Sequence, residues 1–158
     1  MTLVDEAFAA GLAELTPLTS APVAPFGYGV DLSCTSSLTD PLAEVDCFSP
    51  IAVGEALVRR LMTPTGSLIE DPDYGMDLRA FCNRGVTQQD LARIADKVRG
   101  ECLKDDRVDD VTVIISADSQ THAMSVRLLV TVVDARIGDF SMTLAVTSAD
   151  VLIEALAA

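Results

Sequence analysis

The strongest constraint on the fold is a change of period after Arg107. Before it, apolar residues recur at helical spacing in segments such as 50–62 and 87–104; beyond it they alternate. Val111, Val113 and Ile115 alternate with Thr112, Ile114 and Ser116. Met124, Val126, Leu128, Val130 and Val132 alternate with Ser125, Arg127, Leu129, Thr131 and Val133. Phe140, Met142, Leu144 and Val146 alternate with Ser141, Thr143, Ala145 and Thr147. Successive strand side chains point to opposite faces, so a period of two reads as strands with one buried face. The spacing predicts three strands, and the short connections over 117–121 and 134–139 predict an antiparallel meander.

The apolar face of such a sheet needs a cover. Ser49-Pro50 opens a helix expected to run to about Met62, with serine as cap, proline at the first helical position and Arg59 and Arg60 at its end. The clearest helix spans 87–104. Thr87 and Asp90 suggest a capping box, and Leu91, Ile94, Ala95, Val98 and Cys102 form one face. Asp90, Arg93, Lys97, Glu101 and Lys104 form the other, with Lys97 and Glu101 spaced to pair. Shorter helices are predicted over 2–15, 77–83 and 148–156, an extended piece over 67–69, and irregular chain over 31–49. Pro17, Pro22, Pro25, Gly27 and Gly29 make 16–30 a linker. The expected class is α+β: a small antiparallel three-stranded sheet packed by two or three helices, with an N-terminal helix and Pro/Gly-rich arm. Residues 1–26 form the acidic helix and arm, and 27–158 the domain. Such a sheet has two edges, each able to pair with another chain.

Charge narrows the function. The chain holds 11 Lys and Arg against 24 Asp and Glu, a net −13. Nine of the bases lie between Arg59 and Arg107, where nine acids balance them, so the net charge sits at the two ends. Nucleic acid and anionic membrane surfaces both need clustered bases and are not expected as partners. The first fifteen residues carry acids and no base, unlike a signal peptide. Cys34, Cys47, Cys82 and Cys102 contain no CxxC, so buried thiols are expected rather than zinc; their three possible pairings stay open, with Cys34–Cys47 the first to test. His122, the only histidine, sits in a turn. No phosphate-binding glycine loop is present, and no cofactor is expected.

Two clusters remain. Glu70, Asp71, Asp73 and Asp77 could serve a glycosidase or hold calcium, but they fall in Pro/Gly-rich turns whose chemistry already explains them, and the spacing is not that of an EF-hand. Lys104-Asp105-Asp106-Arg107 joins the best helix to the first strand. It reads as a solvated helix end, or as a site where the Arg107 fork meets a partner's carboxylate.

In order along the chain stand Tyr28-Gly29-Val30-Asp31-Leu32; Arg60-Leu61-Met62-Thr63-Pro64-Thr65-Gly66-Ser67-Leu68; Asp71-Pro72-Asp73-Tyr74-Gly75-Met76-Asp77-Leu78; and Asp105-Asp106-Arg107-Val108. Over roughly 27–150 this series resembles the baseplate wedge and sheath-initiator proteins of contractile phage tails, the baseplate assembly protein W-like family, with relatives in type VI secretion and other contractile injection systems. The resemblance implies a structural protein without enzymatic activity, located in the virion tail baseplate and assembled in the host bacterial cytoplasm. Its implied partners are baseplate wedge proteins, the tail sheath protein, and central tube or hub proteins. A Glu-Pro-Arg signature engages the wedge in that family. Arg107 matches its arginine, Asp105 stands in place of Glu, and Asp106 departs from Pro. The sheet is expected to take up sheath segments by strand addition, through Val111, Val113, Leu128, Val130, Leu144 and Val146. The competing readings are a lysozyme-like peptidoglycan hydrolase using the Glu70/Asp71/Asp73/Asp77 carboxylates, and a small adaptor unconnected with any contractile machine.

Overall fold

Ser49 and Pro50 start the first helix as the sequence predicts. The Ser49 side-chain oxygen accepts from the Ala52 N–H at 3.2 Å, and Pro50 takes a position that needs no N–H. Helix α1 runs Pro50–Met62. The computed structural model describes residues 30–32, 44–82, 88–118 and 123–158. The predicted helix over 2–15, the arm, Cys34, Thr87 with its half of the capping box, and His122 lie outside the described residues.

Two short strands, β1 (Val30–Leu32) and β2 (Glu44–Asp46), pair antiparallel. They occupy part of the stretch expected to be irregular. Short strands without a long alternating pattern leave no periodic signal, and this pair is fixed by tertiary contacts such as the Asp31–Arg59 ion pair at 2.6 Å. Helix α2 is Arg79–Cys82, inside the predicted 77–83. Helix α3 is Gln88–Cys102. Residues 67–69 join no strand but belong to a loop.

The sheet differs from expectation by one strand. Strands β3 (Val108–Ala117), β4 (Met124–Val132), β5 (Phe140–Val146) and β6 (Val151–Ala157) form an antiparallel sheet in that order. The first three are the predicted meander; β6 replaces the predicted C-terminal helix. The Leu/Ala-rich segment suits a helix by propensity, but a tight turn decides otherwise. Thr147 N–H donates to the Asp150 carbonyl at 2.9 Å, and Thr147 Oγ1 accepts from the Asp150 N–H at 3.1 Å. The chain therefore reverses and pairs along β5. Gly54 of α1 permits the close approach: a Cβ there would stand 3.0 Å from Leu156 Cδ1 of β6.

Both long helices cover one face of the sheet, as predicted. Val53, Leu57 and Leu61 of α1 and Ile94, Val98 and Cys102 of α3 share a core with Val111, Val126, Leu128, Met142 and Leu144. Leu57, Leu61, Leu128 and Leu144 are fully buried, and truncating any of them to alanine should cost about 2–5 kcal/mol. The opposite sheet face leaves Ile114, Leu129 and Leu152 exposed. Among the described residues no helix is long and apolar enough to cross a membrane.

Candidate functional site

The site is organised by Glu101, which the helical pattern had put on the solvated face of α3. It is buried instead. Its Oε1 accepts from Arg60 Nη1 at 2.9 Å and from the Gly75 N–H at 2.8 Å, while Oε2 meets Lys104 Nζ at 2.7 Å. The predicted Lys97–Glu101 pair is therefore replaced. Lys97 lies over the Phe81 ring, 5.9 Å from its centroid. A period of 3.6 places Glu101 at the margin of the buried face, and the 63–78 loop then folds over it.

That loop is built to reach the end of α1. The Met76 N–H donates to the Arg60 carbonyl at 3.1 Å and the Leu78 N–H to the Leu61 carbonyl at 3.0 Å, satisfying acceptors that a helix end leaves open. Thr65 Oγ1 donates to the Gly75 carbonyl at 2.6 Å, closing the loop on itself. Gly75 has φ +87°, and a Cβ there would lie 2.3 Å from the Thr63 carbonyl oxygen. Only glycine fits both the left-handed backbone and the space, and this conformation aims its N–H at Glu101. Arg60 is also stacked on Tyr74, 4.3 Å from the ring centroid, and Lys104 Nζ donates to the Asp73 carbonyl at 2.6 Å.

Three residues far apart in sequence thus meet at one carboxylate: Arg60 at the end of α1, Gly75 in the loop, and Lys104 in the helix-to-strand junction. Burial alone would raise the Glu101 pKa. Its bonds from Lys104, the Gly75 N–H and Arg60 outweigh that and hold it below the ordinary carboxylate range.

Arg107 is already engaged. Its Nε donates to Asp105 Oδ1 at 2.9 Å and its Nη2 to Asp105 Oδ2 at 2.8 Å, while its own N–H also bonds Asp105 Oδ1. The two side chains are only 11% and 12% exposed. Burial favours protonation of Asp105, but the Arg107 bonds and charge prevail and lower its pKa. The expectation of an arginine fork open to a partner is corrected accordingly: Asp105 and Arg107 form a clasp that presents itself as a unit. The same Asp-x-Arg arrangement recurs at Asp77–Arg79 and Asp134–Arg136, where each aspartate binds the arginine two residues on through backbone and side chain. The D-x-R spacing was the sequence signal for these clasps. Arg136 further stacks on Phe48 at 3.9 Å.

A polar cavity of about 440 Å³ opens beside this clasp, lined by Asp31, Cys47, Arg60 and the run from Lys104 to Arg107. A second, of about 720 Å³, lies between the 63–77 loop and α3 and shares Lys104 with the first. Burial raises the Cys102 thiol to about 12, with the Glu101 charge adding to the shift. Cys47, Cys82 and Cys102 are buried free thiols.

The six strand residues expected to receive a partner divide. Leu128 and Val130 lie on β4, and Leu144 and Val146 on β5. These strands are paired on both sides and the four side chains are buried in the core, so none of them borders an open edge. Val111 and Val113 lie on β3, which is an edge. Of the loop carboxylates, Glu70, Asp71 and Asp73 are exposed, while Asp77 binds Arg79 Nε at 2.7 Å. Among the described residues no three His, Cys, Asp or Glu side chains are grouped so as to hold a metal ion. No family model matches the chain, and no curated protein matches it.

Proposed function

We propose that this protein is a structural component of the baseplate of a contractile phage tail or related injection system, binding wedge proteins and starting the first ring of tail sheath. The supporting observation is the convergence around Glu101. The stretches that carry the resemblance to sheath initiators are far apart in sequence, yet 60–68 and 71–78 share the Glu101 carboxylate through Arg60 and Gly75, and 28–32, 60–68 and 105–108 border one polar cavity through Asp31, Arg60 and Asp105–Arg107. The wedge contact falls on that cavity, where the exposed Asp106 and Lys104 flank the Asp105–Arg107 clasp. Charge-assisted bonds to such a rim set orientation and recognition more than bulk affinity. The sheath contact falls on a sheet edge, where main-chain bonds supply strength and alternate side chains supply register. Repetition around a ring multiplies a modest single affinity.

Co-purification with the wedge proteins of the same particle tests this reading. Wild type should form a complex with them and nucleate sheath polymerisation. Asp106→Arg is exposed and should leave stability within about 0.5 kcal/mol while weakening the complex. Normal assembly by that variant removes the cavity from the interface. Failure of the wild type to bind any wedge or sheath protein removes the reading.

A further inference from the structure

The two edges of the four-stranded sheet are unequal. β6 is interrupted at its middle: the register shifts between the Thr143–Ala155 and Leu144–Ile153 pairs, leaving Glu154 as the extra residue of a bulge. A bulge carrying a charge is a common way to refuse a further strand. β3 is interrupted only near its start, where the register shifts between Val108 and Asp110. From Asp110 to Ala117 it pairs with β4 residue by residue. The run from Val111 to Ala117 contains no charge, no proline and no glycine.

Arg99 reveals which backbone groups of β3 face outward. The Val111 N–H donates to Asp110 Oδ1 at 2.8 Å, the Val111 carbonyl accepts from Arg99 Nε at 3.1 Å, and Arg99 Nη2 meets Asp110 at 2.6 Å. Both polar groups of Val111 therefore turn to the open edge, where this ion pair occupies them. A strand repeats every two residues, so Val113 and Ile115 turn their N–H and C=O groups the same way. The Arg99–Asp110 clasp ends at Val111. Beyond it, Ile114 is 53% exposed and Val113 and Ile115 are half-buried.

Carboxylates bracket this run, with Asp109 and Asp110 before it and exposed Asp118 after it. A second copy laid antiparallel would oppose acid to acid, and two chains of net charge −13 repel each other. We propose that residues 112–117 of β3 are the receiving edge, and that its occupant is an extended segment of another polypeptide with an uncharged, alternating centre and a Lys or Arg at each end. This rests on the reading that a sheet edge of this protein takes up a partner strand, and adds which edge it is and what chemistry the strand carries.

Residue-resolved hydrogen exchange on the full chain tests it. The probe is the synthetic peptide Lys-Thr-Val-Thr-Val-Thr-Val-Lys, compared at low ionic strength with its twin ending in Glu. The Lys-ended peptide should slow exchange at the Val113 and Ile115 amides and not in β6. The Glu-ended twin should need about tenfold more peptide for the same protection, because both ends then meet like charge. Asp109→Lys combined with Asp118→Lys should reverse the preference, and Ile114→Lys, at an exposed position, should abolish binding of the Lys-ended peptide. Protection confined to 151–157 would overturn the assignment to β3 while leaving strand uptake intact. Protection at neither edge would overturn both.

Discussion

Replacing Glu101 tests the organising role of its carboxylate. Glu101 is 7% exposed and Arg60 15%, whereas Lys104 is 45% exposed. In Glu101→Gln the amide oxygen can still accept from Arg60 and the Gly75 N–H, and Lys104 can swing into water at a cost of about 0–1 kcal/mol. What is lost is the charge on two bonds, and charge-assisted bonds are roughly twice as strong as neutral ones. The expected destabilisation is about 2 kcal/mol. Glu101→Ala instead strands Arg60 and a buried N–H, and should cost about 3–5 kcal/mol. For a domain of this size these losses lower the melting midpoint by about 4–8 °C for Gln and about 6–20 °C for Ala. Urea unfolding followed by circular dichroism measures both, and an unchanged slope keeps the comparison within two states. The pH dependence gives the sharper test. The folded-state pKa is lowered, so the stabilisation is complete above the ordinary carboxylate value and is lost as pH falls through the folded one. The gap between wild type and Glu101→Gln should therefore narrow on acidification from neutral pH to about 3, below the ordinary carboxylate value of about 4.3. A gap that stays constant over that range refutes the reasoning.

Three further outcomes follow from the same geometry. Gly75→Ala forces a methyl against the Thr63 carbonyl in a left-handed conformation and should cost about 3 kcal/mol, measured by thermal melting; a loss under about 0.5 kcal/mol would contradict the packing. Arg107→Ala leaves Asp105 buried without its fork and should cost about 2–4 kcal/mol at neutral pH, shrinking as pH falls through the lowered Asp105 pKa; urea titrations at several pH values check it. The Cys102 thiol, raised to about 12 by burial, should resist iodoacetamide at pH about 8 in the native protein and react after unfolding, as peptide mass spectrometry would record; rapid native labelling would contradict its burial.

Elements with a long period were legible in the sequence, and those fixed by distant contacts were not. Thirteen residues from Pro50 to Met62 announce their helix by cap, proline and terminal arginines. The β3–β5 meander is plain from alternation because one face is buried and the other is not. Residues 151–157 misled because leucine and alanine favour a helix, while the Thr147–Asp150 turn and the space above Gly54 favour a strand. Glu101 misled for a related reason: its burial depends on a loop from another part of the chain, and no local pattern records that. The junction around Arg107 was visible as a charged run and as a motif. Its internal clasp to Asp105 was implicit in a D-x-R spacing that recurs at Asp77–Arg79 and Asp134–Arg136. The receiving edge was half legible, since Val113 carries the alternation, but the bulge that disqualifies β6 belongs to a strand the pattern did not foresee.

A baseplate component must reside at the tail base, and its location in the particle is the most direct test. Purified particles from the source, labelled with antibody to this chain and viewed by electron microscopy, should carry label only at the tail base beneath the sheath. Mass spectrometry of the same particles should find the chain at low copy number beside the wedge proteins. A protein absent from every particle, or spread along the sheath, would contradict the account.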